Sequence, residues 1–147
     1  MDQKITKEEA KKRIEKLRKE TNETVYLVVY DQAEIVYLEC LESQLRLRAR
    51  PVYGIRVPLH CTSLGKAIMA FLPDQEVQNI IREKGLIGFT ERTIIDQDRL
   101  EKELKEIKKR GYGISSVTLD DPSKKMIFIE VSNFKIDLHS TQHISRF

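Results

Sequence analysis

GIRVPLHCTSLGKAIMAFLPDQEV, residues 54–77, changes character at Pro58. Before the proline, Ile55 and Val57 alternate with Arg56 in the period-2 pattern of a strand. After it, Leu64, Ala67, Ile68 and Phe71 recur at helical spacing. Thr62 or Ser63 can cap that helix by accepting from backbone N–H groups that the first turn leaves unpaired. Pro73 and Asp74 interrupt and restart the helical pattern, and Val77, Ile80 and Ile81 mark a second short helix ending at Gly85.

Upstream, Leu45, Leu47 and Ala49 alternate with Arg46, Arg48 and Arg50, closed by Pro51 and Gly54, which reads as a half-buried strand. Val25–Tyr30 and Ile35–Leu41 are rich in strand formers, and the polar Asp31-Gln32-Ala33-Glu34 between them predicts a β-hairpin. Ala10, Ile14, Leu17 and Thr21 form one apolar stripe on a Lys/Arg/Glu background, so an amphipathic helix is expected from about Ile5, stopping at Asn22. Downstream, Thr93–Ile95 reads as a brief extended piece. Asp98 with Glu101 reads as a capping box for a helix carrying Leu100, Leu104 and Ile107, with Lys108–Arg110 at its negative end and Gly111 as its stop. Met126–Val131 is a clear strand. Phe134, Ile136 and Leu138 alternate weakly before a polar tail, residues 140–147.

This order suits an α+β fold, an antiparallel sheet with helices packed against it, rather than a wound parallel sheet. With 147 residues and no linker or repeat, one domain is expected. The net charge of +3 comes from interspersed signs, without the concentrated basic face of a nucleic-acid footprint. No window approaches the roughly 18 apolar residues of a membrane span, and the start lacks a signal core, so a cytoplasmic address is expected. Cys40 and Cys61 form no CxxC and read as reduced thiols.

Three segments together resemble the effector-binding domain of IclR-type transcriptional regulators. KRIEKLRKETNETVYLVVYDQAEIVYLECLES, residues 12–43, is similar to that family's connecting helix and opening hairpin. In residues 54–77, Pro58, Leu59, His60, Ser63, Gly65, Lys66 and Ala67 fall where the family's PLH-x-x-S-x-GKA motif places them. TIIDQDRLEKELKEIKKRGYGI, residues 93–114, resembles its Thr-rich strand, helix and Gly-Tyr turn. The resemblance implies a curved, GAF-like antiparallel sheet flanked by helices, a small organic or aromatic acid as effector, and a homodimer or tetramer. It also implies a DNA-reading helix-turn-helix upstream, for which the single helix at residues 1–22 leaves no room. DNA would then be met only through that absent domain.

A turn feeding a helix presents unpaired N–H groups and partial positive charge to a carboxylate. By the resemblance, the effector role falls on the main chain at Ser63, Leu64 and Gly65, with Val57 and Ala49 as pocket walls. The residues alone fit equally a helix that caps itself at Thr62 or Ser63, with Gly65 allowing close packing. Lys66 could point outward or form a structural ion pair, and His60 reads as a hydrogen-bonded structural histidine.

The family pattern is departed from downstream. Ser115, Ser116, Val117 and Thr118 stand where an acidic run would lie, and the 126–131 strand has no Cys. Ser115 can replace the acidic ligand because a hydroxyl both donates and accepts. The tail lacks the family's final strand and helix, which would leave an edge favouring self-association. The alternative to a sensor is therefore an oligomerisation module with a degenerate pocket. Arg46, Arg48, Arg50 and Arg56 read as a solvated strand face. His139 and His143 with His60 and Cys61 make a poor metal set, and no metal, cofactor or catalytic constellation is expected.

Overall fold

Thr6 opens the first helix with a reciprocal capping box. Its hydroxyl accepts from the Glu9 N–H at 3.1 Å, and the Glu9 carboxylate accepts from the Thr6 N–H at 2.8 Å. The computed structural model describes residues 4–44, 53–118, 125–131 and 135–136, with side chains over 6–44 and 53–113. Helix α1 runs Lys7–Thr21 and stops where Asn22 turns left-handed at φ 54°. Its described contacts lie along β2, Val25–Asp31, and Ala10 and Ile14 are buried while Leu17 stays half exposed.

Strand β2 is followed by β3, Glu34–Leu41. Gln32 and Ala33 between them have φ of 50° and 62°, the left-handed pair that a two-residue hairpin turn requires to match strand twist. Tyr26 and Tyr37 meet edge to face across the hairpin at 5.5 Å, and Val29, Val36 and Leu38 form a buried cluster with Leu27 against it. Tyr37 exchanges backbone bonds with Gly54 and Ile55, which leads into β4, Arg56–Pro58, and gives the sheet order β2-β3-β4. Arg56 is not simply solvated, since its guanidinium binds both the carboxylate and the carbonyl of Asp31. Buried Ser43 bonds the Asn22 carbonyl at 2.6 Å and takes its N–H to Thr24, pinning the end of β3 to the end of α1. A short β1, Lys4–Ile5, pairs in parallel with β7, Lys135–Ile136.

The described residues fall into two compact units, the first built from most of these elements and the second from residues 32–35 and 57–132. In the second, a 3-10 turn at Leu59–Cys61, which was not anticipated, precedes the expected helix α2, Ser63–Met69. Helix α3 runs Asp74–Lys84 and ends at Gly85, and α4 runs Gln97–Arg110 and ends at left-handed Gly111. The α4 cap is Asp96, whose carboxylate accepts from the Arg99 N–H at 2.8 Å, so Asp98 lies inside the first turn and the expected box at Asp98 is corrected. Glu101 is diverted from any cap. It accepts from Gln97 and Gln78, tying α3 to α4, and these two amides hold its pKa below the usual carboxylate value.

Thr93–Ile95 joins no ladder. Thr93 instead folds its hydroxyl back to the N–H groups of Phe89 and Thr90, closing a local turn that competes with strand pairing. After α4, β5 (Tyr112–Thr118) pairs antiparallel with β6 (Lys125–Val131), Ser115 opposite Phe128. The strand expected over 45–49, Ala49 with it, Arg46, Arg48 and Arg50, and the tail residues His139 and His143 lie outside the described residues. Four α-helices and largely antiparallel pairing among the described residues make the fold α+β, consistent with a GAF-like domain.

A left-handed alanine costs about 1 kcal/mol that glycine avoids, partly offset by glycine's greater freedom when unfolded. Ala33→Gly is therefore expected to stabilise the chain by about 0.5 kcal/mol, read as a higher urea midpoint at unchanged slope. A lower midpoint would contradict the hairpin geometry.

Candidate functional site

Pro58 fixes an extended exit from β4, and the 3-10 turn that follows delivers Thr62 in the β region at φ −128°, ψ 155°. From there its hydroxyl accepts from the Gly65 N–H at 2.9 Å and its carbonyl from the Lys66 N–H at 3.0 Å. Thr62 rather than Ser63 is thus the cap, and it consumes the third and fourth donors of the helix start. The Ser63 and Leu64 N–H groups keep no acceptor among the described residues. Ser63 is only 4% exposed, and its hydroxyl also has no partner among the described residues. Buried, unpaired donors carry a desolvation cost that an oxygen-rich ligand would relieve.

Two glycines allow this geometry. A Cβ on Gly65 would overlap the Leu59 backbone, so the turn of α2 can lie on the 3-10 turn only without a side chain there. A Cβ on Gly113 would come within 2.5 Å of the Ser63 carbonyl, so β5 passes directly against the start of α2. Ser115 follows two residues along the same strand, and Val57 is half-buried just before Pro58. The second unit therefore holds Val57, Ser63, Leu64, Gly65 and Ser115, while Ala49 falls outside the described residues. Gly113 was not among the sequence candidates. The Gly-Tyr-Gly run at 111–113 is the local signal for it, but which backbone it must pass is not a local property.

Lys66 resolves to a structural role. Its side chain is 12% exposed, and its ammonium lies 3.7 Å from Glu103, whose same oxygen is 3.3 Å from the Arg110 guanidinium. Arg110 also donates to the Tyr112 carbonyl at 2.7 Å and stands over the Tyr112 ring. One carboxylate on α4 thus joins α2 to the α4–β5 corner. His60 is buried, with Nε2 2.8 Å from the Ile87 carbonyl and its ring against Phe89, the structural role expected of it. The Cys61 thiol donates to the Pro58 carbonyl at 3.2 Å, and burial pushes its pKa up, which keeps it a poor nucleophile. Among the described residues no three His, Cys, Asp or Glu side chains gather as metal ligands.

Residues 2–117 match the family of bacterial transcriptional regulator IclR C-terminal domains. The chain belongs to that family. An IclR C-terminal domain is an effector-binding domain, and the relatives are transcriptional regulators rather than enzymes. The HTH-type transcriptional regulator KipR of Bacillus subtilis is 31% identical over 112 residues, covering 76% of this chain and 45% of KipR. The IclR crystal structure from Thermotoga maritima is 33% identical with a TM-score of 0.66, covering 71% of this chain and 42% of that one. The inducer-binding domain of the PobR transcription factor from Acinetobacter, a double mutant in complex with 3-hydroxybenzoic acid, is 27% identical with a TM-score of 0.64, covering 74% of this chain and 65% of that one. This chain spans less than half the length of KipR and of the Thermotoga protein. No helix among the described residues is long and apolar enough to cross a membrane.

If the Gly113 approach is as tight as its geometry demands, Gly113→Ala forces β5 off α2. The expected loss is about 1–3 kcal/mol by chemical denaturation, the range of overpacked sites. A loss within experimental error would show that the strand has room to give.

Proposed function

We propose that this chain senses a small organic or aromatic acid on behalf of a cytoplasmic transcriptional regulator, with the ligand's carboxylate held by the Ser63 and Leu64 N–H groups. The observation that carries this reading is the start of α2. Buried Ser63 and its neighbour Leu64 keep main-chain donors without acceptors, and the Ser63 hydroxyl beside them is unpaired among the described residues. Backbone donors bind an anion without adding a counter-charge, and the first-turn dipole adds to them. The PobR domain in complex with 3-hydroxybenzoic acid supports the ligand class. Gly65 then acts by letting the turn close and Val57 by walling the ligand, while Ala49 and the Ser115 side chain, expected from the sequence as ligand contacts, lie outside what the structure describes. DNA reading in this proposal belongs to a helix-turn-helix segment outside this chain.

Ser63 occupies the first helical position, and Thr62 before it is extended. Proline is accommodated at that position, and an extended preceding residue suits it. Ser63→Pro therefore deletes the Ser63 N–H, and with it the Ser63 hydroxyl, without breaking the helix. In a thermal-shift titration, 3-hydroxybenzoate is expected to raise the melting temperature of the wild type, because a ligand of the folded state stabilises it by mass action. Ser63→Pro should weaken that binding about 10-fold or more, as loss of a hydrogen bond to a charged group implies. A flat response across a panel of small acids would favour the degenerate oligomerisation module. Stabilisation that survives Ser63→Pro would move the site elsewhere.

We also propose that the chain self-associates. Ile87, Phe89 and Ile95 expose more than half of their surface in one connection, residues 85–96, which supports burial against a second copy. Sedimentation at micromolar concentration should report a species above monomer mass, and Ile95→Glu should shift it toward monomer. A wild-type chain that sediments as a monomer would sink this.

A further inference from the structure

The charges of α4 are unevenly placed: Asp98 and Glu106 share its exposed side with Lys102, Lys105, Lys108 and Lys109, which leaves that side net basic. The α4 carboxylates Glu101 and Glu103 are both taken up by neighbours within the unit, Glu101 by Gln78 and Gln97 and Glu103 by Lys66 and Arg110. Leu100, Leu104 and Ile107 are buried on the side between them. Opposite lies an open depression of about 550 Å³ lined by Lys102, Lys105, Glu106, Lys108 and Lys109. Lys102 and Lys108 make no ion pair among the described residues, Lys105 reaches Glu101 only at longer range, and Lys109 stands 3.2 Å from Glu106. The helix dipole accounts for basic residues in the last turn, where its effect is confined. It does not account for Lys102 and Lys105, which lie in the middle of α4.

At 3.6 residues per turn, Lys102, Lys105 and Lys109 fall within about 60° of one another and span roughly 10 Å along the axis. From this row we infer that the outer face of α4 is a sequence-independent contact for the phosphate backbone of duplex DNA. The lining contains no apolar side chain, so the face lacks the anchor that a protein partner or a membrane surface would use. A double helix needs no such anchor, since its backbone carries one phosphate per about 3.4 Å on each strand and binding is driven by counterion release. The contact would be weak and would add to whatever reads the operator. The choice of DNA rests in part on the regulator reading above, whereas the measurement involves no effector.

The test is fluorescence anisotropy of a short labelled duplex of arbitrary sequence titrated with the full chain between low and physiological salt. Comparison is with K102Q/K105Q/K109Q and with K11Q/K12Q/K19Q, which changes the net charge equally on exposed positions of α1. The wild type should bind at low salt, and the α4 variant should lower the magnitude of its log–log salt slope by about 2.7, at about 0.9 per phosphate contact. The α1 variant should bind as the wild type does. No binding by the wild type, equal loss in both variants, or an unchanged slope in the α4 variant would each overturn the inference. So would capture of a polyglutamate peptide in place of the duplex. If the α4 variant loses DNA but keeps its response to 3-hydroxybenzoate, the two proposals are separated.

Discussion

The second unit depends on how closely two stretches of backbone approach the first turn of α2. Leu59 lies under Gly65 and Gly113 lies against the Ser63 carbonyl, and neither approach leaves space for a β-carbon. Ser63 is buried beside these contacts, while Thr62 takes up the Gly65 and Lys66 N–H groups. What remains is the Ser63 and Leu64 N–H groups, without acceptors among the described residues, where an uncompensated donor is costly.

Around that turn, polar contacts act as ties between elements. Glu103 joins α2 to the end of α4, Gln78 and Gln97 converge on Glu101 to join α3 to α4, and His60 secures the connection after α3 through the Ile87 carbonyl. Each tie uses a side chain at least partly shielded from water, where an ion pair or hydrogen bond retains more of its strength than on an open surface. The side of α4 facing solvent is left with its lysines. The basic excess on that side is thus a by-product of how the unit is held together, with Asp98 and Glu106 left among the lysines.

Most elements were legible from residue order. The stripe Ala10, Ile14, Leu17 anticipated α1, Asn22 and Gly111 marked helix ends through left-handed geometry, and the strand-forming runs on either side of Gln32-Ala33 anticipated the hairpin. Errors came where two polar residues competed for one role. Asp96 caps α4 because it is the residue held extended, and Asp98 two positions later is already helical. Thr93 reads as a strand former, yet its hydroxyl closes a turn, since a side-chain bond a few residues away forms without waiting for a partner strand. The strand at Tyr112–Thr118 went unread because its serines carry little strand signal, and it exists through its ladder with β6.

Helix periods, caps and turns are written in neighbouring residues, because the forces behind them act within one or two turns of chain. For the same reason the PLH-x-x-S-x-GKA segment and its helix start could be recognised before any fold was known. The fate of individual groups there is another matter. Whether Lys66 meets solvent or Glu103 and whether Gly113 touches anything are questions about residues far apart in sequence, answered by packing. Burial and long-range contact set the energy of a donor or a charge, and they arise when separate segments are brought within bonding distance.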